Sequence, residues 1–358
     1  MDIAKIDKNF KAQTVVMENG KATYSIPSKN FALYGVTYDE KENRFVRMPL
    51  DVAATVNEGV GYLAKHTAGG RICFSTDSKS LEITVTYDCL EKMIHMPLSG
   101  SAGFSLFEKK EKGERYIAYL APAPHQGEGY TAAAKLAGEG MRDYVLYFPL
   151  YNGVTSLSIT LDATAKVEKK EPYRDVLPIV YYGSSITQGG CASRPDNAYQ
   201  ALISKKNNID FINLGFSGNA KAEKTMVEYL TQIPCSLFVC DYDHNAPNAG
   251  YLESTHYALY QQYRKACPDT PILFLTKPDT RGDSEGDRRI KIIRNTYAKA
   301  KKAGDNKVYF LSGKSFYGNQ DRWNFAVDGC HPTDYGFALM AKKIYAKMCK
   351  IDDVFKGE

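Results

Sequence analysis

The chain has 358 residues, 44% of them hydrophobic, which is more than one core usually serves, so two domains are expected. Its 46 Lys and Arg against 41 Asp and Glu leave a formal charge of +5. No long basic run gathers that excess and no apolar run could span a bilayer, which sets aside nucleic acid and membrane as partners.

The opening MDIAKIDKNF is followed by no apolar core of signal-peptide length, so a cytoplasmic protein is expected. Eight cysteines without a CxxC pair suit reduced, buried thiols rather than a disulfide framework. The six histidines never fall at metal-ligand spacing, and no metal is implied.

From about residue 10 to 170 the chain alternates with period two in short runs, among them ATYSIP, FALYGVTY, RICFSTD, LEITVTY, DYVLYFP and SLSITLD, separated by turns such as NG and GG. This rhythm predicts an antiparallel β-sandwich or jelly roll over residues 1–172. The charged passage AKVEKKEPYRD (Ala165 to Asp175) breaks the pattern and is the expected linker. Continuous apolar runs follow in LPIVYYG, DFINLGFS, CSLFVCDY, PILFLTKP and KVYFLSG, each separated by a helical segment. Unalternating strands between helices predict an α/β domain with a parallel sheet over residues 173–358. The last helix is expected to start at Thr333 and to pack Phe337, Met340, Ala341, Ile344 and Met348 on the sheet.

Ligands of a parallel sheet bind beyond the carboxyl ends of its strands, which singles out four places. After the first strand, GSSITQGG could be a plain turn, a phosphate cradle or the seat of a nucleophile; it lacks the lysine of a phosphate loop. After the second, Gly218 in NLGFSGN can bring a backbone amide close to a ligand. After the third, CDYDHNAPN places Asn245 as a side-chain donor. Before the final helix, DGCHPTDYG sets Asp328 and His331 three apart, so the carboxylate can fix the imidazole tautomer while the other ring nitrogen faces a hydroxyl.

Taken as an ordered set, GSSIT, the glycine of FSGN, the asparagine of DHNAP and the Asp-x-x-His of DGCH resemble the four motif blocks of the SGNH or GDSL hydrolase superfamily. The resemblance implies a flavodoxin-like three-layer hydrolase domain with Ser185 as nucleophile, His331 as base and Asp328 as its orienting acid. It also implies an oxyanion hole made by the Ser185 and Gly218 amides and the Asn245 side chain, and no cofactor. Two positions depart from the pattern: Ser184 stands where the first block usually has aspartate, and DYDHN replaces a glycine-rich third block. In the front half, GSAGFSLFEKKEKGERY is similar to the GxDLY-type sandwich segment that precedes such hydrolases in some bacterial proteins, with Ser105 in place of the aspartate.

Polar loops carrying Asp241, Asp243, His244 and Arg194, with no long apolar lid, favour a small acyl group on a hydrophilic alcohol. Together with the sandwich, the resemblance implies an acetyl esterase acting on an acetylated oligosaccharide. A lipase or thioesterase is the alternative enzyme, and a glycan-binding protein on a dead hydrolase scaffold the alternative of another class. His244 and Arg194 are candidate substrate contacts, competing with a plain loop residue and a structural bond to a loop carbonyl. The lone Trp323 could be a sugar platform, although core packing is the preferred reading, and Cys191 and Cys330 are read as inert thiols near the two motif loops. Oligomeric state is not readable.

Overall fold

The computed structural model describes residues 15–136, 138–318 and 321–357. The front half is antiparallel, with strands β1 (Val15–Glu18), β2 (Lys21–Ile26), β3 (Ala32–Tyr34), β4 (Thr37–Asp39), β5 (Arg44–Val46), β6 (Arg71–Thr76), β7 (Ser80–Tyr87), β8 (Phe104–Lys109), β9 (Glu114–Leu120), β10 (Gly129–Lys135), β11 (Arg142–Tyr147), β12 (Val154–Asp162) and β13 (Val167–Lys169). They form two main sheets, ordered β1-β2-β12-β7-β10 and β13-β6-β11-β8-β9, with β3 also pairing β6. Strand β7 shows why they sandwich: Leu81, Ile83, Val85 and Tyr87 point into the shared core while Glu82, Thr84 and Thr86 face out.

The second sheet breaks that alternation. Every residue of β6 is buried, because Cys73, Val145, Tyr147 and Phe107 on its outer face pack against Ile179, Ile203 and Phe211 of the back half. The two halves therefore share one core, and the Arg71 guanidinium, fully buried, reaches across to the Asp210 carboxylate at 2.7 Å and the Phe211 carbonyl at 2.9 Å.

Two expectations for the front half change. The passage from Ala165 to Asp175 is not a free linker: β13 pairs β6, Asn208 donates to the Pro172 carbonyl, and Arg174 donates to the carbonyls of Asn207 and Val354. The sandwich also carries helices α1 (Leu50–Val56) and α2 (Glu58–Leu63), plus a short α3 (Leu98–Ser101). Met48, Ala53, Val60 and Leu63 bury themselves against Phe216 and Met226 of the back half.

The back half is a parallel sheet of β14 (Ile179–Gly183), β15 (Phe211–Gly215), β16 (Leu237–Asp241), β17 (Ile272–Leu275) and β18 (Val308–Leu311), in the order β15-β14-β16-β17-β18. Successive residues supply opposite faces: Ile179, Tyr181, Val239 and Leu273 lie in one cluster, Val180, Tyr182, Phe238 and Phe274 in the other. Helices α5 (Tyr199–Asn207) and α9 (Asp334–Met348) contribute Ile203, Phe337 and Met340 to the first cluster; α6 (Lys224–Leu230), α7 (Ala249–Ala266) and α8 (Ser284–Lys302) contribute Met226, Leu259 and Ile293 to the second. Thr333 caps α9 as expected, accepting from the Gly336 amide at 3.2 Å. The fold is an antiparallel sandwich joined to a three-layer α/β unit. Among the described residues no helix is long and apolar enough to cross a membrane.

Candidate active site

Strand β14 lies between β15 and β16, so whatever follows it is flanked by the loops of both neighbours. At its end the chain must pass close to β16: a side chain on Gly183 would run into Thr187 and the Asp241 carbonyl, and only glycine fits. The two serines then separate by role. Ser184 is fully buried and its Oγ accepts from the Ile186 amide at 3.2 Å, capping the one-turn helix α4 (Ser185–Gln188). Ser185 opens that helix, and its Oγ lies 2.8 Å from His331 Nε2. Gly189, at φ 104°, ends the turn in the left-handed region, and the amides of Gly189 and Gly190 donate back to the Ser185 carbonyl at 3.0 and 2.8 Å.

His331 is held by its own loop. Its Nδ1 is 2.7 Å from Asp328 Oδ2, while Asp328 Oδ1 accepts from the backbone amides of His331 at 2.8 Å and Cys330 at 3.0 Å. Partial burial alone would raise the Asp328 pKa; the hydrogen bonds from the His331 amide, the imidazole and the Cys330 amide outweigh it and hold the carboxyl at about 2. Since the carboxylate stays ionised, it accepts the Nδ1 proton and leaves Nε2 to face the serine. A pairing of Ala326 with Pro332, and the Val327 amide donating to the His331 carbonyl at 2.9 Å, close the loop.

The neighbouring loops are tied to one another. The Phe216 amide donates to the Gly183 carbonyl at 2.8 Å, and Asn245 Nδ2 donates to the Phe216 carbonyl at 2.8 Å. Gly218, exposed at φ +69°, follows on the β15 side, and Asn245 sits on the β16 side.

The two candidate substrate contacts each have a carboxylate partner within the protein. Arg194 forks onto Asp196 at 3.0 and 3.3 Å and lies over the Tyr116 ring, so a carboxylate and a ring hold it rather than a loop carbonyl. His244 Nδ1 is 3.0 Å from Asp243 Oδ1, and its buried Nε2 has no partner. Burial raises the Asp243 pKa, but the His244 ring and the amides of Lys277 and His244 more than reverse it. Trp323 is not in the core: it is 84% exposed, on the short turn before Asp328. Cys191 and Cys330 are free thiols, and burial pushes the first up to about 12. Behind the serine turn, burial and the neighbouring Asp243 raise the Asp241 carboxyl to about 7; one oxygen accepts from Thr187 Oγ1 at 3.2 Å and the other has no partner.

Further groups around the serine turn were missed by the motif reading, two of them from the sandwich half. Tyr151, 5% exposed, donates from its hydroxyl to the Ser185 carbonyl at 3.1 Å. Gln188 donates to the Leu150 carbonyl at 3.1 Å, sits 3.2 Å from His66 Nδ1, and accepts from the Ser217 amide at 3.1 Å, which links the serine turn to the Gly218 loop. His95, exposed on the loop after β7, brings its ring centroid to 6.2 Å from that of His331. Gln188 lies on the serine turn itself, whereas nothing local in the runs that hold Tyr151 and His95 points to a site more than 30 residues away.

A serine, an imidazole and a carboxylate in hydrogen-bonded series, on a turn beyond a parallel strand, define the serine-hydrolase class. Residues 177–349 match the GDSL-like Lipase/Acylhydrolase family, and residues 23–167 match the N-terminus of Esterase_SGNH_hydro-type proteins. The two matches span most of the chain, which belongs to this family of two-domain SGNH hydrolases and is a carboxylic ester hydrolase. No curated protein matches it. Among solved structures it is similar to one named as a GDSL-like lipase from Bacteroides ovatus ATCC 8483, at 27% identity and a TM-score of 0.83, covering 92% of this chain and 98% of that one. A salicylyl-acyltransferase from a tetracycline biosynthetic pathway shares the fold at 17% identity and a TM-score of 0.77, over 94% and 98% of the two chains. So does an acetyl xylan esterase from the rumen bacterium Butyrivibrio proteoclasticus, at 14% identity and a TM-score of 0.62, over 93% and 99%.

Proposed function

We propose that the protein removes small acyl groups, acetyl foremost, from the hydroxyls of a carbohydrate, with Ser185 as nucleophile, His331 as base and Asp328 as orienting acid. The observation that carries this reading is the unbroken series Ser185 Oγ to His331 Nε2 at 2.8 Å and His331 Nδ1 to Asp328 Oδ2 at 2.7 Å. A serine hydroxyl is a weak nucleophile near neutrality and needs such a base during attack.

Ser185 Oγ attacks the ester carbonyl carbon as its proton passes to His331 Nε2. The negative charge that develops on the carbonyl oxygen meets the Ser185 and Gly218 amides and the Asn245 side chain. Asn245 gives one amide hydrogen to Phe216 and keeps its second for this oxygen. Each such donor contributes on the order of 3 kcal/mol in the transition state. The carbon–oxygen bond to the sugar breaks, His331 returns the proton to the departing alkoxide, and an acyl ester remains on Ser185. Water then attacks with His331 as base, the Ser185–acyl bond breaks, and the protonated serine and a free carboxylate result.

Acetyl and sugar are supported by the fold shared with an acetyl xylan esterase. Hydrolysis of a simple acetyl ester by Ser185→Ala is expected to fall by roughly 10³-fold or more with folding intact. Undiminished turnover in that variant would remove the assignment. Comparison of acetyl with octanoyl esters of one alcohol separates this reading from a lipase.

A further inference from the structure

A cavity of about 400 Å³ opens beside the His331 loop, and its wall includes Val327, Gly329 and Cys330, the neighbours of Asp328 and His331. The volume is within the range of small-ligand sites. Two features of its lining point to what it holds.

The first is Trp323, whose indole stands 84% exposed on the rim. Arg322 lies beneath it, 5.4 Å from the ring, and is itself fixed by two-pronged contacts to Asp279 at 2.9 and 3.0 Å. An aromatic face held rigid and open to solvent beside a polar cavity is a stacking surface for a ring bearing C–H bonds.

Charge is the second feature. The lining carries Lys277, Arg281 and Arg322 against Asp279 and Asp283, one positive charge in excess. Asp279 is occupied by the two arginines, and Asp283 caps α8 through the Gly286 amide at 3.0 Å. Arg281 is further spent on the Tyr317 and Gly318 carbonyls. Lys277 has no carboxylate partner among the described residues; its ammonium reaches the Cys330 thiol, next to His331.

We infer that this cavity is a subsite for a sugar bearing a carboxylate: the ring stacks on Trp323, and the carboxylate accepts from the Lys277 ammonium. The inference rests on the esterase reading, because the subsite takes the alcohol whose acyl group Ser185 removes. A neutral sugar would fill the same space but leave Lys277 unpaired, so the subsite discriminates by charge. The carboxylate belongs to a uronic acid or to another acidic sugar; the chemistry recognised is the same.

The test uses the full-length enzyme with 4-nitrophenyl acetate and matched mono-O-acetylated methyl glucuronosides and methyl glucosides, each ester position in turn. The wild type is expected to favour an acetylated glucuronoside in kcat/KM by about tenfold or more, the size of one charge-assisted hydrogen bond. Lys277→Met should erase that preference through KM and leave 4-nitrophenyl acetate and glucoside turnover unchanged, while Lys277→Arg keeps most of it. Trp323→Ala should weaken both sugars alike. Equal turnover of glucuronosides and glucosides, with 4-nitrophenyl acetate cleaved normally, would overturn the subsite and spare the esterase. Failure of all three esters together with a Ser185 that resists fluorophosphonate would overturn the esterase and the subsite with it.

Discussion

The Tyr151 hydroxyl, from the sandwich half, donates to the main-chain carbonyl of Ser185 at 3.1 Å. That carbonyl already accepts from two amides of its own turn, so the tyrosine adds position more than stability. Tyr151→Phe keeps the ring and removes this bond together with the hydroxyl's contact with the Ser217 side chain. It is expected to cost about 1 kcal/mol of stability and to lower kcat several-fold with KM unchanged, since the orientation of Ser185 matters in the transition state. Steady-state kinetics with a small ester check this; a change confined to KM would assign Tyr151 to substrate binding instead.

Arg47 joins the same two halves more strongly. Its buried guanidinium donates to the carbonyls of His66 at 2.9 Å, Leu63 at 2.6 Å, Asn213 at 3.2 Å and Gly215 at 2.6 Å, and lies 4.8 Å from the Phe216 ring. Arg47→Met would strand buried carbonyls on both sides, at roughly 3 kcal/mol or more. A single ammonium cannot span the fork, so Arg47→Lys is expected to rescue little of the loss. Thermal denaturation of the three proteins measures this, and a melting temperature unchanged in Arg47→Met would show that the clamp is dispensable.

Asp241 gives a pH dependence of definite sign. Burial and Asp243 raise its folded pKa from 3.8 to about 7, so the folded state binds more protons than the unfolded one between those values. Stability from this group is full below the unfolded pKa and is lost as pH rises through 7. Asp241→Asn keeps the acceptor for Thr187 and cannot ionise. The variant is therefore expected to gain on the wild type as pH goes from about 5 to 8, by a few kcal/mol at most. Parallel melting curves whose gap does not change over that range would contradict the buried-carboxyl account.

Asp328 has the opposite character. Held at about 2, it stays ionised across the neutral range and keeps the His331 Nδ1 proton in place. Asp328→Asn preserves the shape but not the acceptor, and the proposed mechanism predicts a loss in kcat on the order of 10³- to 10⁴-fold with little change in KM. A variant that kept most of its turnover would mean that His331 is oriented by its loop alone.

Three of the motif blocks were legible because each lies within a few residues of a strand end, where a parallel sheet gathers its ligands, and the fourth because its Asp-x-x-His directly precedes the last helix. Ser185, His331 and Asp328 lie in hydrogen-bonded series, in which only the Asp328–His331 pair could be read from spacing, and the buried cap formed by Ser184 accounts for the pair of serines: one holds the turn, the other faces the imidazole. The strand rhythm of the front half was also legible, but its helices at Leu50 to Leu63 were not, since their apolar residues face the back half rather than their own sheets. For the same reason β6 is buried on both faces, and Ala165 to Asp175 is fastened rather than free. Tyr151 and His95 reach the site only through contacts that close between distant segments, and Gln188, on the serine turn itself, meets Leu150 and His66 in the same way. Arg194 was read as better suited to a structural bond than to substrate, and the bond it makes is to the Asp196 carboxylate two residues on rather than to a loop carbonyl.

The central claim is that Ser185, and not Ser184, is the nucleophile activated by His331. Treatment of the full chain with a fluorophosphonate, followed by mass spectrometry of the peptide spanning Ser184 and Ser185, tests it most directly. The structure predicts a single phosphonate on Ser185 that disappears in Ser185→Ala, persists in Ser184→Ala and is strongly slowed in Asp328→Asn. A label on Ser184, or none on either serine in a folded wild type, would contradict the account.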